Sequence, residues 1–331
     1  MPAAFTICSN NYLAKARVAA ETFLASNAGY EFYIFLVDEC ISEIDYDFIK
    51  GVKITAIKDI VGNIDELAVK YSIVELNTAV KPAIFSFLFK QYQHTHIFYL
   101  DPDLMIFDRF SEIEELFEEK NCNIIVTPHF CSPIDDGKIP SEVHFSLYGL
   151  YNLGFLAVKQ CPESQKFLDW WHDRLMKYCF IDVQNGMFTD QIWVNYAPIF
   201  FDGVYILKHL GYNMANWNLY ERELNKIDEK YYVNNYSKLK FFHFSHYKFH
   251  NPYILSSQQN RHNIDELPHI RQLIDLYQSK LIRNNQEYFS TIPCHYQQIY
   301  ESAHNQDSLR ETSLRNLMRR LKNKVLKAGR S

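Results

Sequence analysis

Glycine and proline are scarce in this chain, 10 and 11 among 331 residues, which excludes collagen-like and low-complexity sequences. No apolar run approaches the ~18 residues of a membrane-spanning helix, so none is expected. No basic residue precedes the first apolar run, and Ser9-Asn10-Asn11 interrupts it early, which argues against a signal peptide. The seven cysteines are odd in number and form no CxxC pair, so neither a zinc site nor a disulfide framework is expected. A reducing, cytoplasmic setting fits that usage. Gly-x-Gly-x-x-Gly and Walker loops are both missing, which argues against a nucleotide site built on those fingerprints. There is no internal repeat, and positive charge is lacking over most of the chain. Residues 307–331 hold eight basic and two acidic residues, so a total of −5 leaves −11 on residues 1–306. An acidic body argues against a nucleic-acid partner, because phosphate contacts need a basic face.

Apolar residues make up 47% and charged residues 22%, enough for a full globular core. The length fits one large domain or two ordinary ones. Short apolar runs at Ala3–Cys8, Glu31–Val37, Val52–Ile57, His96–Leu100, Cys122–Thr127 and Leu153–Val158 read as strands. Tyr12–Ala25, Ile64–Gln91 and Pro162–Tyr178 read as helices, the second broken or kinked near Lys81-Pro82 because proline cannot donate in a helix interior. This alternation predicts an α/β fold with a mixed, mostly parallel sheet flanked by helices, with ligands beyond the carboxyl ends of the strands. Residues 182–251 read as irregular and aromatic, and Asp265–Gln286 as helical.

Four short constellations carry chemistry. In Ile97-Phe98-Tyr99-Leu100-Asp101-Pro102-Asp103 an apolar strand runs into two carboxylates spaced i, i+2. In extended backbone they point to one side, and they repel unless a cation lies between them. Hard oxygen ligands of this kind suit Mg²⁺ or Mn²⁺; the plainer reading is a solvated turn. Phe241-Phe242-His243-Phe244-Ser245-His246-Tyr247-Lys248 delivers an imidazole, which can ligate Mn²⁺, and an ammonium, which can meet a phosphate; an aromatic run with a structural His is the alternative. Thr189-Asp190-Gln191 resembles a helix start, which by itself explains a carboxylate there. Asn152 begins an apolar strand, where an ordinary turn would also place it.

Ser9-Asn10-Asn11-Tyr12-Leu13, Asp101-Pro102-Asp103, Asn152-Leu153-Gly154, Asp190-Gln191 and His243-Phe244-Ser245, in that order, resemble the GT-A glycosyltransferases. The nearest pattern is the family 8-like group of glycogenin and the lipopolysaccharide galactosyltransferases, in particular bacterial surface-polysaccharide transferases with a YLDPD signature. The resemblance spans roughly residues 4–255. It implies a Rossmann-like GT-A catalytic domain over residues 1–260, followed by a C-terminal helical region over 261–331. It further implies that Asp101, Asp103 and His243 hold Mn²⁺ or Mg²⁺, and that Tyr12, Asn10, Lys81, Asp101, Asn152 and Lys248 contact a UDP-sugar donor. Asp190 and Gln191 would lie below the anomeric carbon. Ser9 and Asn10 stand where the family has an Asp, His246 stands where a small residue is expected, and Lys248 is displaced by one position.

Such an enzyme moves a sugar to a glycan or lipid-linked saccharide acceptor, with Asp190 as base in an inverting reaction, or Asp190 or Gln191 as a shield of the cationic centre in a retaining one. Thr127-Pro128-His129 and Gly211–Arg222 are candidate acceptor-side loops, the alternative being an aromatic loop packed on the core. They offer His129 and Trp217, with Asn216, Asn218 and Arg222 for sugar hydroxyls, and His246 lies nearby. The alternatives are a catalytically silent GT-A fold that binds a nucleotide-sugar or scaffolds an assembly, and a phosphohydrolase in which the first Asp is a nucleophile. In the latter the motif follows the first strand, whereas here it follows about the fourth. Leu309, Leu314, Leu317, Leu321 and Val325, bordered by basic residues, read as a basic amphipathic helix able to contact the inner face of an anionic membrane.

Overall fold

The structure, a computed structural model, describes residues 1–47, 51–119 and 121–305. The basic segment over 307–331 lies outside the described residues. The elements in chain order are β1 (Ala3–Cys8), α1 (Leu13–Ser26), β2 (Glu31–Leu36), β3 (Val52–Ala56), α2 (Ile64–Lys70), α3 (Ile73–Ala79), α4 (Lys81–Tyr92), β4 (His96–Leu100), β5 (Leu104–Ile106), α5 (Ser111–Glu119), β6 (Ile124–Pro128), α6 (Glu142–Tyr148), β7 (Tyr151–Lys159) and α7 (Pro162–Tyr178). There follow β8 (Ile181–Asp182), β9 (Met187–Phe188), α8 (Gln191–Val194), α9 (Ala197–Phe200), β10 (Val204–Ile206), β11 (Met214–Ala215), β12 (Leu224–Ile227), β13 (Lys230–Val233), β14 (Ser237–Lys238), β15 (Phe241–His243), α10 (Pro268–Arg283) and α11 (Gln286–Ser290).

The main sheet has the order β10-β6-β7-β4-β1-β2-β3. All its pairs are parallel except those of β7, which runs against both β4 and β6. Alternate residues of the inner strands feed two cores, as side chains of period two must. Phe32, Ile34, Leu36, Phe98 and Leu100 face one core, together with α1 and α10. Phe5, Tyr33, Phe35, Ile97 and Tyr99 face the other, with α2, α4 and α7. Burial on both faces explains why these strands read as continuous apolar runs rather than alternating ones. The C-terminal helices join the first core through Ile270, Leu273, Tyr277 and Leu281, and Tyr277 stacks on Phe244 at 3.9 Å between ring centroids.

The break expected near Lys81-Pro82 falls at Val80, between α3 and α4, and Pro82 occupies the first turn of α4, where its missing N–H costs nothing. A further break at Ser72 separates α2 from α3. One sequence expectation needs correction. Residues 182–251 are more ordered than their composition indicates, for they contain β9, the β12-β13-β14 sheet, and β11 and β15. These strands are only two to four residues long, too short for a periodicity signal.

The second sheet, β11-β15-β5, positions the site. Its register sets His243 opposite Leu104, and Phe244 N–H donates to the Asp103 carbonyl (2.9 Å). Residues far apart in sequence thereby share one corner at the carboxyl end of β4.

Candidate active site

Asp101 follows the last residue of β4, and its N–H donates to the Gly154 carbonyl at 2.8 Å. The backbone is thus held before any side chain is considered. Asp103 and His243 complete the corner: His243 Nε2 lies 3.1 Å from Asp103 Oδ1 and 3.7 Å from Asp101 Oδ2. One ligand atom from each of the three lies within 4.8 Å of the others. Burial pushes Asp101 above the ordinary carboxylate range despite the opposing charges of Lys81 and His243. Burial also opposes ionisation of Asp103, but the His243 charge and hydrogen bond, with Lys15 adding, hold it down at about 2. Burial opposes protonation of His243 too, yet the two carboxylates outweigh it and raise its pKa. The corner therefore draws in positive charge, and the donor set of two carboxylates and an imidazole suits Mn²⁺ or Mg²⁺.

A buried amide network sets the direction of the imidazole. Asn213 Nδ2 donates to Thr127 Oγ1 (2.9 Å) and Asn152 Oδ1 (3.0 Å), so its Oδ1 faces His243 Nδ1 at 3.2 Å. An acceptor there keeps a proton on Nδ1, so Nε2, which faces the two carboxylates, is the nitrogen whose proton a metal ion would replace. Asn152 Oδ1 also accepts from Gly154 N–H (3.0 Å), and Asn152 Nδ2 meets His129 Nε2 (3.3 Å). Burial lowers the His129 pKa to about 3, so this ring stays neutral. A Cβ on Gly154 would stand 2.5 Å from His243 Cε1, so the close approach of imidazole and strand requires glycine. Asn213 has φ +53°, a left-handed conformation that Asn tolerates.

Lys81, at the start of α4, is buried under this corner. Its Nζ lies 2.6 Å from Asp190 Oδ2 in a charge contact out of line for a hydrogen bond, donates to the Leu153 carbonyl at 3.0 Å, and is 4.0 Å from Asp101. It also sits 4.1 Å from the centre of the Tyr99 ring, whose hydroxyl donates to Asp101. Asp190 precedes the first residue of α8, the helix start that the sequence indicates. Gln191 opens onto the cavity, with Nε2 donating to the Tyr148 carbonyl (2.7 Å).

The cavity above these groups has a volume of about 550 Å³. Asp101, Asp103, His243, Asn152, His129 and Gln191 form its inner wall, and Phe145, which stacks on His129 at 4.4 Å, Tyr148, Phe188, Ile139, Pro140 and Trp217 complete the lining. Trp217 meets His243 edge-on at 5.2 Å, and its buried Nε1–H has no hydrogen-bond partner among the described residues. Asn216 and His246 also line the cavity.

Other residues singled out in the sequence do not line this cavity. Arg222 faces backbone, not the cavity: its guanidinium donates to the Leu210 (3.1 Å) and Tyr212 (2.7 Å) carbonyls beside Glu221. Asn218 ties the His129 and Asn213 carbonyls together. Asn10 is fully buried, its amide donating to the Glu39 carbonyl (2.9 Å) and accepting from Tyr46 (2.7 Å). Tyr12 is exposed at the first loop, and Lys248 is exposed after β15. The carboxylate under that first loop is Asp38, from the end of β2, which accepts from the N–H groups of Asn10, Glu39 and His295. Sequence reasoning missed Asp38, Lys15 and Asn213. Lys15 could have been found from its place three residues after Tyr12, one helical turn on; Asn213 leaves no local signal.

No family model matches the chain. Two curated proteins of Bacillus subtilis (strain 168) are similar to it: the uncharacterized protein YfnF, 28% identical over 156 residues (45% of this chain, 49% of YfnF), and the uncharacterized protein YfnD, 26% identical over 170 residues (50% and 51%). The chain spans about half the length of these relatives. Among solved structures it is similar to mouse xyloside xylosyltransferase 1 without ligand (TM-score 0.45, 13% identity, 74% of this chain and 98% of that one). It is also similar to the galactosyltransferase LgtC with donor and acceptor sugar analogues (0.41, 16%, 65% and 76%). A third is a glycosyltransferase involved in glycosylation of the major capsid of PBCV-1 (0.43, 10%, 75% and 94%).

Among the described residues no helix is long and apolar enough to cross a membrane.

Proposed function

We propose that the chain is a metal-dependent GT-A glycosyltransferase that transfers a sugar from a nucleotide-sugar, a UDP-sugar in the first instance, to a glycan or lipid-linked saccharide acceptor in surface-polysaccharide synthesis. Its catalytic unit is residues 1–260, with a helical region from 261 onward. The observation that carries this reading is the meeting of Asp101, Asp103 and His243 on the floor of the cavity, with the Lys81–Asp190 pair directly beneath.

Asp101, Asp103 and His243 would hold Mn²⁺ or Mg²⁺, which when bound supplies positive charge against the diphosphate of the donor. Asn213 and Asn152 keep the imidazole in the ligating tautomer. Lys81, 2.6 Å from Asp190, fixes that carboxylate behind Gln191, which faces the cavity. As the bond from the anomeric carbon to the diphosphate oxygen breaks, its electron pair leaves with the diphosphate, and an acceptor hydroxyl oxygen bonds to that carbon and gives up its proton. A carboxylate beneath the sugar then either takes the acceptor proton or shields the cationic carbon. Trp217 offers an unused indole N–H to an acceptor hydroxyl, and Phe145, Tyr148 and Phe188 offer faces against which a sugar ring can lie.

A panel of nucleotide-sugars screened by thermal shift with Mn²⁺, followed by hydrolysis assays in place of an acceptor, tests the reading. Stabilisation by one donor, with release of nucleoside diphosphate that EDTA stops, is expected. Binding without turnover would leave a nucleotide-sugar-binding protein. The configuration of the transferred sugar in the product separates the two roles of Asp190.

A further inference from the structure

Lys15 is buried to 9% exposure on the first turns of α1, and its ammonium has neither a hydrogen bond nor an ion pair among the described residues. Its Nζ lies 4.2 Å from the centre of the Tyr12 ring. The other two buried lysines of this half of the molecule are satisfied. Lys240 contacts Glu112 (2.9 Å), Asp108 (3.1 Å) and the Arg109 carbonyl (2.8 Å), and Lys81 contacts Asp190 and Leu153. The stem of Lys15 is buried while the ammonium itself still meets solvent, so packing and the Tyr12 face hold in place a positive charge that no carboxylate pairs with among the described residues.

Two pieces of chain bring Lys15 to the site. Ile106 N–H donates to Thr22 Oγ1 (3.1 Å), which fixes α1 alongside β5. Lys15 is two turns before Thr22 on the same helix face, about 10 Å at 1.5 Å per residue. Asp103 is three residues before Ile106, about 10 Å at 3.3 Å per residue. The helix therefore carries Lys15 level with Asp103, in keeping with the influence of Lys15 on that carboxylate.

The formal charges point to the missing partner. With His243 neutral, as a metal ligand must be, Asp101, Asp103 and Asp190 against Lys15 and Lys81 leave one negative charge, which a divalent cation turns into one positive charge. The loaded corner then attracts an anion, and Lys15 is its unsatisfied donor.

We propose that Lys15 is a diphosphate-binding residue. Its ammonium hydrogen-bonds the phosphate oxygens of a nucleoside diphosphate at the Asp101–Asp103–His243 corner and neutralises the charge left there when the anomeric C–O bond breaks. It takes the part that sequence resemblance gave to Lys248, which the structure leaves exposed. The inference rests on the nucleotide-sugar reading of the site.

Calorimetry on the full chain with uridine, UDP and inorganic pyrophosphate, each with Mn²⁺, and with Mn²⁺ alone, tests it for wild type, Lys15→Met and Lys15→Gln. Both variants should lose about 10- to 100-fold in affinity for UDP and pyrophosphate while uridine changes by no more than about 2-fold. Mn²⁺ alone should bind at least as tightly, because a positive charge beside Asp103 is gone. This opposite movement of metal and diphosphate affinity is not what general loosening of α1 would give. Thermal melts identify a variant that fails to fold, and the other then decides. Wild type that binds UDP, with variants that bind it equally well or lose uridine to the same extent, overturns the role of Lys15 alone. Wild type that binds neither UDP nor pyrophosphate overturns the donor reading and this inference with it.

Discussion

The two walls of the cavity are built differently. The inner wall is made of strand ends: Asp101 after β4, His243 at the end of β15, Asn152 in β7, and behind them Asn213 and Thr127; Asn213 hydrogen-bonds Thr127, Asn152 and His243, and Asp101 lies 3.7 Å from the imidazole. The outer wall is made of short helices and loops and is more exposed. Ile139, in a loop, is 39% exposed and Val74, in α3, 54%, and the loop around Ile139 and Pro140 is held to residues 260–261 by Ile139 N–H to Asn260 (2.8 Å) and by Arg261 to Asp136 (2.6 Å) and the Pro140 carbonyl (2.9 Å). Chemistry that depends on sub-ångström placement sits on the sheet, and recognition that can vary sits on loops. Damage to the inner wall should remove function outright, whereas damage to the outer wall should change which acceptor is taken.

The largest effect is expected for Asp103→Ala. It removes a ligand and leaves His243 facing Asp101 alone, so turnover should fall about 1,000-fold or more, with Mn²⁺ binding lost in calorimetry. Full activity of this variant in EDTA would remove the metal from the inner wall. Next comes Asp190→Asn, which keeps the shape but loses the charge opposite Lys81. About 100-fold or more should go from kcat with little change in donor affinity. Normal kcat with a raised donor KM would make Asp190 a binding residue. Gly154→Ala places a methyl 2.5 Å from His243 Cε1 and 2.8 Å from Asn152 Oδ1, so Mn²⁺ affinity should fall by about 10- to 100-fold. Unchanged affinity would show that the inner wall yields more easily than its hydrogen bonds indicate. Arg261→Gln is the outer-wall counterpart. Acceptor KM should rise by about 3- to 10-fold while donor hydrolysis stays at the wild-type rate. Equal loss of both would mean that the two walls move as one.

The same division separates what could be read from the sequence and what could not. β1, β4 and α7 were legible to the residue, because long apolar runs and a Pro-led helix start are local signals. Asp101, Asp103 and His243 could be named because their residue types sit at strand ends. Asn213 and Asp38 could not, since each acts through a partner dozens of residues away, whereas Lys15 has a local cue, its place one helical turn after Tyr12, and only the packing of α1 on β5 sets its position against the site. Arg222 was offered to the acceptor by composition alone. An Arg can equally serve carbonyls left bare by an irregular chain, and it does so at Leu210 and Tyr212.

The reversal of β7 has a further consequence. In an all-parallel sheet each strand offers a site only the loop that leaves it, and the loop that enters the next strand lies at the far end. Because β7 runs against β6, the segment joining them leaves and returns at the same rim, and both of its ends reach the cavity, at His129 and at Asn152. Such a segment can lengthen, shorten or change its side chains without altering a single strand of the main sheet. A lineage of chains sharing this sheet has one place where a new acceptor can be accommodated at small structural risk, and α6 with the residues flanking it is that place.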